Sequence, residues 1–256
     1  MAMDLEERRR RADANAVAAF TLAQARLGDP RGGIARFGAV EAVAIGVDVA
    51  FYNPVLALDP ASTPSDVRAA IAWVEAKGLP VSVQVRSDVD PAVSAAVEAH
   101  GLAADPWATP VMVLEPIPPA PPPPSGVVIR TGGRDLFDDW HTALGSGEIY
   151  RSVFGRTLVA DPNVRLAVGY LAGAPVSGAA AIRTERTIGI YSVGTVEAAR
   201  RRGIGRALTW AVIDAGRAAW GGEIAILQSS EMGAPVYRSM GFEEISRYFW
   251  FERPKG

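Results

Sequence analysis

Thr195-Val196-Glu197-Ala198-Ala199-Arg200-Arg201-Arg202-Gly203-Ile204-Gly205-Arg206-Ala207-Leu208 follows a β-like run, Thr187 to Val196, and opens a helical pattern that reaches Trp220. A strand that enters a helix through a glycine turn leaves several N–H groups unpaired at one point, where the helix dipole also favours negative charge. Gly203 and Gly205 omit the Cβ atoms that would hold a phosphate away from the backbone. Arg200, Arg201, Arg202 and Arg206 add positive charge around the same point. The segment predicts a phosphate site built on Ile204 and its neighbours. Its spacing is not that of a dinucleotide loop, because Leu208 stands where the third glycine of GxGxxG would fall. Nor does Gly-Lys-Ser/Thr precede the helix, as a Walker loop requires.

Outward from this loop, the C-terminal half alternates β and α patterns. Strand Val127–Arg130 precedes helical patterns at Leu136–Leu144 and Ile149–Val159. Three β runs follow, Val164–Leu171, Ala174–Arg183 and Thr187–Val196, joined by hairpin turns at Ala172-Gly173 and Thr184-Glu185-Arg186. After the Gly203–Trp220 helix come strand Glu223–Gln228, helix Ala234–Met240 and a last β run, Glu243–Glu252. The pattern predicts α/β or α+β architecture, with helices packed on a mixed sheet.

Seven prolines fall within residues 116–124, which excludes a helix or a central strand there and favours a stiff spacer over a surface loop. The expected division is a first domain at 1–115, a linker at 116–125 and a second domain at 126–256. The first half opens with a helix from Leu5 to about Leu27, whose basic run Arg8 to Arg11 reads as a solvated face. β runs Val40–Gly46 and Val49–Leu58 follow, then helix Pro64–Lys77 with a Ser62/Thr63 cap, strand Val81–Val85, helix Asp90–His100 and a β run to Leu114. Both halves contain helix, glycine, strand, then a helix ending in Gly-Leu or Gly-Phe, so they read as a repeat. The first half, however, has Asp59-Pro60-Ala61-Ser62-Thr63-Pro64 in place of the arginine–glycine loop. That acidic segment has no glycine and two residues without N–H, and cannot form the same cradle.

Composition narrows the function. With 49% hydrophobic and 21% charged residues the chain can bury sizeable cores. A net charge of −2 speaks against a general nucleic-acid binder. No cysteine is present, so disulfides, thiolate metal sites and a cysteine acyl-enzyme are excluded. The two histidines, His100 and His141, are far apart, and no metal is expected. The charged start, Met1 to Arg11, lacks an apolar h-region, and no apolar run reaches the roughly 18–20 residues of a membrane span. A soluble, cytoplasmic protein, monomer or homodimer, is the expectation.

Arg-x-x-Gly-x-Gly after a strand resembles the acyl-coenzyme A pyrophosphate loop of the GCN5-related N-acetyltransferases (GNATs). A second stretch, Leu227-Gln228-Ser229-Ser230-Glu231-Met232-Gly233-Ala234-Pro235-Val236-Tyr237-Arg238-Ser239-Met240-Gly241-Phe242, resembles the family's Tyr-x-x-x-Gly-Phe helix. Ser230 replaces the commoner asparagine seven residues before the tyrosine, and Glu197 replaces the proline often found before the arginine. The resemblance covers about residues 126–252, and the layout is similar to that of two-domain members. It implies two tandem GNAT-like domains, each a mixed, mostly antiparallel sheet flanked by helices, the first degenerate and without a cofactor loop.

The resemblance further implies acetyl-CoA as cofactor, lying between two splayed strands, Thr187–Val196 and Glu223–Gln228. Backbone around Val193, Gly194, Thr195 and Val196 would pair with its pantetheine amides, and a strand N–H would stabilise the oxyanion. The pyrophosphate would sit on amides of Arg201 to Arg206, and Ser229 and Ser230 would border the pantetheine. Tyr237 would protonate the departing thiolate, for which a phenol pKa near 10 is suited. An acceptor amine, small molecule or peptide, must lose a proton first. Glu148, Glu185, Glu223 and Glu231 are candidates for that base, with Glu148 preferred. Tyr150 is placed on the substrate side, in the glycine-bearing segment Gly145–Tyr150. Two alternatives stay open: a non-catalytic acyl-CoA-binding sensor, and a nucleotide-binding module.

Overall fold

The computed structural model describes residues 3–254. Met1, Ala2, Lys255 and Gly256, which the expected domain limits include, lie outside the described residues. The elements run α1 (Leu5–Leu27), β1 (Gly33–Phe37), β2 (Val40–Ala44), β3 (Pro54–Ala57), α2 (Pro64–Glu75), β4 (Ser82–Arg86), α3 (Pro91–Ala99), β5 (Ala103–Ala104), β6 (Thr109–Leu114) and β7 (Val127–Gly132). Then follow α4 (Phe137–Leu144), α5 (Glu148–Val153), α6 (Arg156–Val159), β8 (Val164–Leu171), β9 (Ala174–Thr184), β10 (Thr187–Thr195), α7 (Ile204–Trp220), β11 (Ile224–Gln228), α8 (Ala234–Ser239) and β12 (Glu243–Glu252). No helix among the described residues is long and apolar enough to cross a membrane.

Three elements differ from their sequence reading. The helix expected over Ile149–Val159 is broken into α5 and α6, with extended Gly155 capping the second. The β run expected over Val49–Leu58 holds a 3-10 turn, Ala50–Tyr52, because Asn53 bonds the carbonyls of Val47 and Val49 and folds the chain back. β1 lies in a stretch, between the Leu5–Leu27 helix and Val40, to which the sequence reading assigns no element; its alternating exposure is that of an edge strand.

The chain forms two compact units, and neither ends at the proline-rich segment. One comprises residues 1–15 and 112–243, the other 16–111 and 244–256. The expected limits, 1–115, 116–125 and 126–256, are therefore corrected. Strands find their neighbours by backbone pairing, which a proline boundary in the sequence does not reveal.

In the first unit the sheet order is β6-β11-β10-β9-β8-β7. β7 through β10 pair antiparallel, and β10 pairs parallel with β11. One face, with Ala167, Ala179, Ala181, Ile188 and Ala225, receives Ile204, Leu208, Val212 and Ile213 of α7. Small strand residues let the helix come close, and each buried branched residue contributes roughly 1.5–3 kcal/mol. Side chains alternate across the sheet, so Gly178 faces the other side, where α4 lays Trp140 and Leu144 over it. Trp140 Nε1 donates to the Ala179 carbonyl at 3.1 Å. The second unit orders its strands β1-β2-β3-β4-β12, with β5 beside β12. β3 pairs parallel with β4, and the remaining pairs are antiparallel. Val67, Ile71 and Val74 of α2 pack on Val55, Val83 and Val85 in its core. Each unit is thus a mixed, mostly antiparallel sheet flanked by helices.

Candidate functional site

β10 leads through a 3-10 turn, Glu197–Ala199, into Arg200–Gly203 and then α7. Gly203 turns the chain with φ +73°, a left-handed value that L residues avoid, and no side chain caps the helix. The first helical amide bond is Ala207 N–H to the Gly203 carbonyl, 3.0 Å, which leaves the Ile204, Gly205 and Arg206 amides outside the helix ladder. A Cβ on Gly205 would stand 3.4 Å from Thr195 Oγ1 and narrow the space in front of them. Arg201, Arg202 and Arg206 are exposed around this turn. Arg200 is committed differently: its Nε donates to the Thr195 carbonyl at 3.0 Å and ties the turn to β10. Donors with no acceptor among the described residues, a glycine-lined approach and surrounding guanidiniums fit a diphosphate.

The strand that feeds the turn is irregular at the same end. β10 keeps parallel register with β11 only from Thr187↔Ile224 to Ile190↔Leu227. Beyond Ile190 that edge of β10 has no β11 partner in register, because β11 itself ends at Gln228. On its other edge β10 slips against β9 between Tyr191 and Gly194, and Ser192 takes φ +56°. After this bulge, Gly194 and Thr195 face Gly178 and Ser177, and Val196 N–H reaches the Val176 carbonyl at 2.9 Å. Ser177, wholly buried, donates to the Gly194 carbonyl at 2.8 Å and lies 2.9 Å from Thr195 Oγ1.

α8 brings Tyr237 to this region. Its phenol packs edge-on against Phe242 at 5.8 Å and faces Thr209, one turn beyond Gly205 on α7. Burial pushes the phenol pKa up to about 12, and the Thr209 hydroxyl pulls the other way. A pKa near 10, expected from the sequence, is corrected: a phenol excluded from water resists ionisation. Thr209, fully buried and bonded to the Gly205 carbonyl at 3.0 Å, gives no sequence signal. Ser230 Oγ accepts from Gly233 N–H at 3.2 Å in the turn before α8. Ser229 is 1% exposed and donates to the Ser230 carbonyl at 2.9 Å, so its hydroxyl is turned into the protein.

On the opposite side of β10, the Tyr150 hydroxyl donates to Ser192 Oγ at the bulge. Its ring stacks on Phe154 at 4.7 Å, and buried His141 packs beside it with Nε2 3.1 Å from the Phe154 carbonyl. Burial depresses the His141 pKa below 6.5, so the ring is neutral at pH 7. Glu148 opens α5 in an exposed position, without a hydrogen bond or ion pair among the described residues. The other candidate bases are surface carboxylates: Glu185 lies 3.6 Å from Arg10, Glu223 lies 3.0 Å from Arg186, and Glu231 is exposed. The basic run at Arg8–Arg11 is ion-paired, Arg8 with Glu115 at 2.9 Å and Glu243 at 3.2 Å, Arg10 and Arg11 with Glu7 at 2.7 Å.

In the second unit the corresponding turn occupies its own amides. Asp59 Oδ1 accepts from Ala61 N–H at 2.8 Å, and Thr63 Oγ1 caps α2 through Asp66 N–H at 3.2 Å. All four residues of β3 pair with β4.

Residues 146–252 match the family model described as acetyltransferase (GNAT) domain. A GCN5-related N-acetyltransferase from Kribbella flavida superimposes with TM-score 0.73 at 19% identity, covering 96% of this chain and 95% of that one. A tandem GNAT protein from the clavulanic acid biosynthesis pathway gives TM-score 0.63 at 13% identity, covering 93% and 88%. A GCN5-related N-acetyltransferase from Sphaerobacter thermophilus gives 0.60 at 22%, covering 85% and 78%. No curated protein sequence matches the chain. At such identities these structures establish the fold, which extends over nearly the whole chain. Residues 146–252 thus match a GNAT acetyltransferase domain model, and the fold of nearly the whole chain is that of GCN5-related N-acetyltransferases.

Proposed function

We propose that the unit containing α7 is an acetyl-CoA-dependent N-acetyltransferase, in which an acceptor amine, small molecule or peptide, attacks the thioester directly. The observation that carries this reading is the uncapped, glycine-lined start of α7 joined to the end of β10 that lacks a β11 partner. The amides of Arg201 to Arg206 hold the diphosphate, with Arg201, Arg202 and Arg206 as counter-charges. Val193, Gly194 and Thr195 offer backbone groups for the pantetheine arm by strand addition, whereas Val196, also expected there, spends its N–H on the Val176 carbonyl and its carbonyl on Ala199 N–H. Bound there, acetyl-CoA supplies an activated acetyl thioester. A β10 amide at the bulge stabilises the oxyanion, and Tyr237 holds its proton as a hydrogen-bond donor toward the departing sulfur. Tyr150, fixed on Ser192, borders the acceptor, and Glu148 is the candidate base two residues away. The unit with β3 and β4 is a related fold without a cofactor loop, as its self-occupied Asp59–Thr63 amides support.

A second reading, an acyl-CoA-binding sensor without turnover, is favoured by one observation: none of the candidate carboxylates is held by a partner facing the cleft. Free thiol release from acetyl-CoA, measured with a panel of amines, separates the two. Turnover with any amine supports the enzyme. A CoA-dependent rise in melting temperature with no turnover supports the sensor, and a rise with ATP but not CoA contradicts both.

A further inference from the structure

The bulge in β10 is held from three directions. Tyr150 reaches Ser192 at its tip, and Ser177 fixes Gly194 and Thr195 beyond it. At its near end, the Tyr191 hydroxyl donates to Asn15 Oδ1 at 2.6 Å and approaches the Asn15 carbonyl at 3.1 Å. Asn15 belongs to α1, far away in sequence, and is 0% exposed. Its Nδ2 donates to the Ile182 carbonyl at 3.0 Å and to Thr184 Oγ1 at 2.8 Å, so both ends of its amide are fixed and Oδ1 can only face Tyr191. Gly189 makes the room: a Cβ there would stand 1.7 Å from Asn15 Oδ1. A buried amide satisfied on both ends sets geometry as well as stability.

We propose that Asn15 is a positioning residue of the acyl-transfer cleft, holding Tyr191 and through it the Val193 and Gly194 amides of the bulge. Its chemical consequence rests on the function proposed above. The competing role, a mere anchor for α1, is shared by Arg8, whose ion pairs with Glu115 and Glu243 fasten the same helix without touching β10.

Full-length Asn15→Ala, Tyr191→Phe and Arg8→Ala chains test this by kinetics, melting temperature and hydrogen exchange of the peptide spanning the bulge. Arg8→Ala is expected to lower the melting temperature and leave kcat within about twofold. Asn15→Ala and Tyr191→Phe are each expected to lower kcat about tenfold or more, with the KM for acetyl-CoA within about threefold. The double variant is expected to fall no further than either single one, since both break one link. A kcat loss in Asn15→Ala no greater than in Arg8→Ala overturns the proposal. Should Asn15→Ala fail to fold, the nearly isosteric Tyr191→Phe carries the same readout. If the wild type acetylates no amine, the proposed function fails by itself. Faster exchange of the bulge in Asn15→Ala or Tyr191→Phe, but not in Arg8→Ala, still supports the positioning role, and exchange unchanged from wild type overturns it.

Discussion

Tyr237 keeps its proton across the physiological range because burial beside Phe242 raises its pKa to about 12. A group that acts protonated loses its effect only as pH rises through its folded pKa. No falling limb in kcat from this residue is therefore expected between about pH 7 and 10, and a limb near pH 10 that vanishes in Tyr237→Phe contradicts the assignment. Tyr237→Phe itself is expected to lower turnover at least about tenfold with cofactor affinity nearly intact. Wild-type turnover in that variant removes the phenol from the chemistry. His141 gives a second pH effect. Its folded pKa lies below 6.5, so as pH falls through 6.5 the unfolded chain takes up a proton that the folded chain refuses. Stability is expected to fall below about pH 6.5, less steeply in His141→Gln, as followed by urea midpoints; equal slopes contradict it. Residue identity at Gly203, Gly205 and Tyr237 was legible because local spacing encodes it. The state of Tyr237 was not, since it depends on Thr209 and Phe242, which no local pattern places there.

At the scale of elements, β10 and α7 share the proposed site. The strand supplies backbone groups that lose their β11 partner after Ile190, and the helix supplies amides left outside its ladder. Their boundaries could be read from the sequence because period-2 and period-3.6 patterns meet at glycines. The bulge at Ser192 could not, because it depends on α1, α5 and β9 holding it from distant parts of the chain. Gly189 tests that dependence at one position. Gly189→Ala is expected to destabilise the chain by at least about 2 kcal/mol, because Asn15 Oδ1 fills the space a methyl group would need. An unchanged urea midpoint contradicts the Asn15 packing.

For the whole molecule, the division into two units with exchanged segments changes what a truncation means. The unit with α7 draws on residues 1–15 and 112–243, so a chain starting at Gly126 lacks Asn15, Arg8 and the core residues Met112 and Leu114. Such a chain is expected to show no cooperative melting transition by calorimetry, and one that melts sharply and binds CoA like the intact protein contradicts this organisation. The helix–strand–helix repeat, and the difference between Asp59–Pro64 and the arginine–glycine loop, can be read along the sequence, whereas the exchange cannot, because pairing between distant strands leaves no local signature. The expectations about turnover depend on the amides at the start of α7 gripping a diphosphate. Calorimetric titration of CoA into the wild type, Gly203→Ala and Gly203→Glu examines that grip directly. Alanine restores a Cβ in front of the diphosphate and adds left-handed strain of about 1–2 kcal/mol, while glutamate also sets a carboxylate against it. Binding by the wild type, weaker binding by Gly203→Ala and at least about tenfold weaker binding by Gly203→Glu is the expected result. Equal affinity of Gly203→Glu and wild type, or no binding of CoA at all, would contradict it.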